Sequence, residues 1–331
     1  MARAHPTRLL PCLLFALCSL LTACGPTSEF SAQSQLDNNQ QEYGVLSWRA
    51  DTEKVDGFTI ERISISPGIG EVGFSGETTV YPTATTTYTL QVETRNDNGL
   101  VYNYTRTATV YIGPRADYTK IQDAALRGCL EDTGNTHLEQ FDVIYCLDRG
   151  IVQLDGIEQF QLTRSVSLDN NEIADLSPLT ALPQLTAVSV SGNDLTTLDA
   201  LTQSTSLRNI AAHNNRIFDL GALAMMPQIT SLSLDNNQIT DTSPLQNLTQ
   251  LQGLSITYNQ IEDISPLAAN TELLALDISN NPINTGILDL STLTRASVIR
   301  SENNGDVLCL TYAQLLLALG PVVLFDQCQL F

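Results

Sequence analysis

The chain has 331 residues, 43% of them hydrophobic, enough for two or three domains with cores of their own. Its 16 Lys and Arg stand against 36 Asp and Glu, a formal net charge of −20. That balance excludes a nucleic-acid binder, which needs clustered positive charge, and excludes electrostatic adsorption to an anionic lipid surface.

Arg3 and Arg8 precede an apolar run from Leu9 to Leu21, the charged and hydrophobic regions of a signal peptide over 1–23. The run is too short for a membrane-spanning helix. Its end, Leu21-Thr22-Ala23-Cys24, resembles the bacterial lipobox. The resemblance implies cleavage before Cys24, acylation of that cysteine, and lasting attachment through several acyl chains. Gly25 in place of Asp implies the outer membrane by the sorting rule of enteric-type lipoproteins, with the leaflet left undecided. Residues 24–41 are small and polar and read as the lipidated cysteine followed by a flexible tether.

From 42 to 114 short alternating runs such as "VLSWRA", "FTIERISI" and "TYTLQVET" are separated by the turn signals Pro67-Gly68, Asp97-Asn98-Gly99 and Gly113-Pro114. This spacing predicts a small all-β sandwich. The stretch "PGIGEVGFSGETTVYPTATTTYTL" resembles bacterial immunoglobulin-like modules, with Trp48 as the main core aromatic and Tyr88 where such modules place a tyrosine corner. Gly68, Gly70 and Gly73 match G-x-G-x-x-G, but the Thr- and Pro-rich sequence that follows is no helix, so a dinucleotide site is excluded.

Residues 119–131 carry Ile121, Ala124, Ala125, Leu126 and Cys129 at helical spacing, and 115–140 reads as an N-terminal cap. His137 lies in "EDTGNTHLEQ", which reads as an exposed connector.

Asparagines then recur every 22 residues, at Asn171, Asn193, Asn215, Asn237, Asn259 and Asn281. An aliphatic follows each by two residues, and inward-type positions precede each by three and five, as in Leu232 and Leu234. The pattern L-x-x-L-x-L-x-x-N-x-I is that of leucine-rich repeats, spanning 141–305 with degenerate first and last copies, the last with Asn303 in phase. The continuations "DLSPL", "TSPL" and "ISPL" resemble the 22-residue internalin-type repeat. In each copy a short strand alternates its side chains, and a sharp turn leaves backbone groups unpaired inside the coil. A buried Asn has both a carbonyl and an amide to satisfy them. The column is neutral where calcium would need convergent carboxylates, so "LDNNQIT" at 234–240 reads as a structural rung and no metal or cofactor is implied.

One repeat cannot offset its own ordering entropy, so the stack needs caps, the C-terminal one being 306–331. Four cysteines remain after export and acylation: Cys129, Cys146, Cys309 and Cys328. Three pairings are open, and the local pairs 129–146 and 309–328 are favoured because each brackets one cap.

The fold class is therefore multidomain, an immunoglobulin-like sandwich followed by a capped leucine-rich-repeat horseshoe with mostly parallel strands and short 3-10 or loop returns. The outward strand residues form the candidate ligand surface, with Asp169, His213, Arg216, Asp235, Tyr258 and Asp277 as the binding candidates. His137 and His213 are the only histidines outside the signal, and HExxH, GxSxG and CxxC do not occur, so no enzyme is expected. The expected function is a lipid-anchored envelope protein that binds a protein ligand, as in the internalin-type adhesins that the repeat resembles. A periplasm-facing scaffold or glycan-binding protein is the alternative.

Overall fold

The computed structural model describes residues 28–38, 40–50, 58–285, 287–302 and 304, with the backbone of Val323–Leu324. The signal peptide, Cys24, Asn303 and the expected Cys309–Cys328 pair lie outside the described residues. Two compact units divide between Gly113 and Pro114.

In the first unit, Ser28–Leu36 (β1), Glu42–Ala50 (β2) and Ser75–Val80 (β5) form one antiparallel sheet in the order β1-β2-β5. Phe58–Ser66 (β3), Gly70–Glu71 (β4), Thr86–Asn96 (β6) and Val101–Val110 (β7) form another, ordered β4-β3-β6-β7. Every second residue points inward. Leu46, Trp48 and Ala50 of β2 share a core with Tyr88, Leu90 and Val92 of β6 and Ile63 and Ile65 of β3. The Trp48 indole donates to the Gly73 carbonyl at 3.0 Å, and burial pushes the Tyr88 phenol up from its ordinary pKa. Trp48 lies opposite Gly76, where a Cβ would come within 2.6 Å of the indole ring. Gly68 and Gly70 take positive φ in the turn into β4, and the chain continues to β5 rather than into a helix.

The sequence reading of 24–41 as a flexible tether needs correction, because 28–36 is a strand. It pairs with β2 from Ser28↔Ala50 to Leu36↔Glu42. An edge strand draws its stability from a partner's backbone and needs few apolar anchors. Here Phe30 and Ala32 pack on the core while the Ser and Gln side chains need no burial. Asp37 closes the hairpin, accepting the Gln41 N–H at 2.8 Å.

The second unit begins with its cap. Asp123 opens the helix Ala124–Asp132 (α1): one carboxylate oxygen accepts from the Ala125 and Leu126 N–H groups, the other from those of Val152 and Gln153. Helix and first repeat are thus held by one side chain. Burial works against its charge, but the four N–H donors outweigh it, and the carboxyl titrates below the usual range. Leu126, Cys129 and Leu130 face the solenoid core, and Cys129 is bonded to Cys146 with a Cα–Cα distance of 5.8 Å.

His137 is a second correction. It is fully buried, its Nδ1 is 2.9 Å from the Thr136 hydroxyl, and its backbone bridges to Arg115. The polar neighbours that suggest an exposed connector instead fold over it: the Gln140 side chain accepts from both the Thr136 and His137 N–H groups.

Nine parallel strands then stack in chain order. They are Val143–Tyr145 (β8), Ser165–Ser167 (β9), Ala187–Ser189 (β10), Asn209–Ala211 (β11), Ser231–Ser233 (β12), Gly253–Ser255 (β13), Ala275–Asp277 (β14), Val298–Arg300 (β15) and Val323–Leu324 (β16). Only the central residue of β9 to β15 points into the core. The returns are short 3-10 helices such as Ser177–Ala181, Ser243–Asn247 and Ser265–Ala269, each with Pro in its first turn, where a missing N–H costs nothing. Asp175, Asp241 and Asp263 precede these turns, each accepting from a Ser N–H at 2.8 Å and its hydroxyl at 2.6 Å. Asp175 is held below the usual carboxylate pKa by the Ser177 hydroxyl and N–H.

The six asparagines form a continuous ladder inside the coil. Asn237 is representative: its amide donates to Ala212 O at 3.0 Å and Leu234 O at 2.9 Å, and its carbonyl accepts the Ile217 N–H at 2.9 Å. The periodicity fails only at the end. β14 and β15 pair Ala275 with Val298, a step of 23, and the rung passes to Asn304, which accepts from the Asn281 N–H at 2.8 Å. A second buried asparagine, Asn270, donates to Leu245 O and Leu248 O on the return side, where other copies carry Leu182, Met226 or Leu248.

Candidate functional site

Each strand from β8 to β15 presents its first and third residues, and the residue two further on, to the open face of the sheet. Along the middle of the stack these are small or of modest size: Ser165, Ala187, Asn209, Ser231, Gly253 and Ala275 in one row, Ser167, Ser189, Ala211, Ser233 and Ser255 in the next. At the end near β15 they frame a shallow groove of about 410 Å³, where Asp277 faces Arg300 across 3.9 Å.

The carboxylates expected to bind a ligand each have one oxygen, Oδ1, engaged within the fold. Asp235 accepts from the Ser255 hydroxyl at 2.6 Å, the Thr257 N–H at 2.7 Å and the Thr257 hydroxyl at 2.8 Å, all one repeat ahead. Asp169 does the same with the Ser189 hydroxyl and the Ser191 N–H. Asp277 accepts from the N–H and hydroxyl of Ser279. Asp235 is therefore not the free outward residue that its column suggests. His213 is half-buried, with Nδ1 at 2.8 Å from the Ser191 hydroxyl, so Asp169, Ser189, Ser191 and His213 form one lateral hydrogen-bonded row.

Arg216 and Tyr258 lie on the rim where the asparagine turn leaves the sheet. Arg216 pairs with Asp194 at 2.8 Å, both side chains largely in solvent. Tyr258 is 58% exposed and sits at φ 52°. The equivalent residues are Asp148, Asn170, Gly192, Asn214, Asn236 and Asn280, all at positive φ. Asp, Asn and Gly tolerate this left-handed conformation; a tyrosine pays about 1 kcal/mol or more for it.

Sequence reasoning missed two exposed groups. Phe218, 56% exposed, follows Arg216 by two residues on the same rim, in a column otherwise holding Val152, Ala174, Thr196, Thr240, Glu262 and Asn284. Tyr145 and Val143 are exposed at the first strand, in the rows that hold mostly small residues from β9 to β13. Both were visible as outsized members of their 22-residue columns. Among the described residues no group of three or more His, Cys, Asp or Glu could hold a metal ion, and no helix is long and apolar enough to cross a membrane.

This architecture is similar to that of an internalin C2 from Listeria monocytogenes, with a TM-score of 0.58 and 29% identity over 65% of this chain and 99% of that one. An internalin (inlF) of the same organism gives a TM-score of 0.52 and 27% identity over 57% of this chain and 59% of that one. In sequence, 67 residues are 39% identical to leucine-rich repeat-containing protein 56 of Rattus norvegicus, covering 20% of this chain and 12% of that protein's length. No family model matches the chain. The second unit is an internalin-like leucine-rich-repeat solenoid.

Proposed function

We propose that the protein is a non-catalytic recognition module, exported, held in the outer membrane by acylated Cys24, and displaying its solenoid to a protein ligand beyond an immunoglobulin-like spacer. The carrying observation is Tyr258. An exposed aromatic at a strained backbone position that six equivalent copies fill with Asn, Asp or Gly is a cost to the fold, and such costs concentrate where a contact is made. Arg216 and Phe218 on the same rim are residue types that dominate protein interfaces, and the small side chains of the adjoining sheet leave room for a partner's bulk. The internalin likeness of the solenoid agrees with this reading. The spacer role is supported by chain direction: Ser28 enters the first unit opposite Ala50, and β7 leaves it at the other end, beside the β1–β2 hairpin, where the Gly113 N–H donates to Glu42.

Crosslinking on intact cells followed by affinity capture tests the reading, comparing the wild type with Tyr258→Ala and Arg216→Ala/Phe218→Ala. Loss of the same captured species in both variants is expected. Identical captured species from all three proteins would remove the rim from the binding surface. Protease shaving of intact cells reads the leaflet, since a fully protected solenoid would place it in the periplasm.

A further inference from the structure

Among the described residues of the first unit, Phe74, Leu100 and Val101 are exposed at the end where the chain enters, while Leu36 and Tyr81 are exposed at the opposite end. β1 starts at Ser28, opposite Ala50, the last residue of β2. Phe74 sits beside it, its carbonyl accepting from the Ala50 N–H at 2.7 Å, and is 45% exposed. In the facing sheet the same end is formed by Phe58, opposite Asn96, and by the hairpin from Asn96 to Val101. There Leu100 is 58% and Val101 43% exposed. Phe74 and Ile60 line one notch, so the two sheets meet at this end. The hairpin tip is braced: Arg95, paired with Glu61, donates to the Gly99 carbonyl at 3.0 Å, and Phe58 stacks edge-on against Tyr102 with centroids 5.3 Å apart.

We propose that this end is a membrane-contacting tip, with Phe74, Leu100 and Val101 seated at headgroup depth in the bilayer that holds Cys24. The inference rests on the acylation of Cys24 proposed above. Only Gly25, Pro26 and Thr27 separate that cysteine from Ser28, so even a fully extended chain lets the strand start no more than about 14 Å from the acylated residue. A headgroup layer is about 5–7 Å deep on each side of the hydrocarbon. Side chains around Ser28 therefore work next to lipid, where exposed Phe, Leu and Val lose their hydration cost. Charge does not hold the tip down, since the chain is strongly acidic; the attraction is apolar and independent of anionic lipid. The acyl chains supply attachment, and the tip supplies orientation, standing the strands off the surface so that Gly113, at the opposite end, points away from it.

The test uses the full acylated chain, purified from membranes and reconstituted into phosphatidylcholine vesicles with or without brominated acyl chains. Leu100→Trp places a fluorophore at the tip, and Tyr81→Trp places one at the opposite end, where Tyr81 is 61% exposed against Tyr43. Buried Trp48 is common to both and reports that the unit is folded. With vesicle flotation intact, the added emission of Leu100→Trp should fall roughly twofold on bromination, as for an aromatic at the interface, while that of Tyr81→Trp is unchanged. Flotation with neither or both fluorophores quenched overturns the tip and leaves the anchor standing. Protein that fails to float overturns the anchor and the tip with it.

Discussion

Replacing Asn237 by Ala isolates what one rung of the ladder contributes. The substitution removes donors to Ala212 O and Leu234 O and the acceptor for the Ile217 N–H. The two carbonyls are not stranded. Ala212 O also accepts from Asn215 at 3.1 Å, and Leu234 O from Asn259 at 3.0 Å. Only the Ile217 N–H loses its acceptor in the buried turn, at about 1–3 kcal/mol, with a further ~1 kcal/mol for the two weakened carbonyls. The expected loss is therefore about 2–4 kcal/mol, read as a lowered denaturant midpoint in equilibrium unfolding followed by circular dichroism. Sharing of carbonyls makes a sharper prediction. Asn237→Ala with Asn259→Ala strips Leu234 O of both amides, so the pair should cost about 1 kcal/mol more than the sum of the singles. Asn193→Ala with Asn259→Ala shares no carbonyl and should be additive. An Asn237→Ala protein that unfolds like the wild type, or a 237/259 pair that is strictly additive, would refute the ladder as described.

Tyr258→Asn should stabilise the solenoid by about 0.5–1 kcal/mol by relieving the left-handed tyrosine, measured by thermal melting, while abolishing ligand capture. Asp123→Ala should cost about 1–2 kcal/mol near neutral pH through the lost cap. Because the folded Asp123 pKa lies below its unfolded value, its contribution is fully present above about pH 4 and disappears as the pH falls through the folded pKa. Wild type and variant should therefore converge in stability in strong acid, and a constant difference across the pH range would contradict the assigned bonds. Cys129→Ser/Cys146→Ser should lose about 3 kcal/mol, with early hydrogen exchange in α1, as the chain-entropy model gives for a loop of this size. Exchange in α1 matching that of the oxidised wild type would show that the cap does not depend on the bond.

The repeat was the most legible part of the chain because its determinants are local and recur. An aliphatic pair flanking one outward residue and an Asn three further on specify strand, turn and rung within a dozen residues, and the solenoid repeats them in register from β9 to β14. The rim residues were partly legible: Arg216 and Tyr258 stood out by type, but the φ that makes Tyr258 unusual shows only when the columns of the fold are compared. What misled was polarity. Ser28–Leu36 and the segment around His137 carry the composition of solvated chain, yet one is a paired strand and the other encloses a buried ring.

By itself the sequence determined the solenoid, its 22-residue step, the outward columns and the place of the cap, since each follows from spacing along one short stretch. Only the tertiary structure decided that one carboxylate oxygen of Asp169 and of Asp235 is held by the next repeat, that the last rung moves to Asn304, and that β1 exists at all. Their partners lie across a stacked repeat or on a neighbouring strand. Whether a carboxylate is free or a polar segment is a strand depends on what folding brings beside it, and no local pattern carries that information.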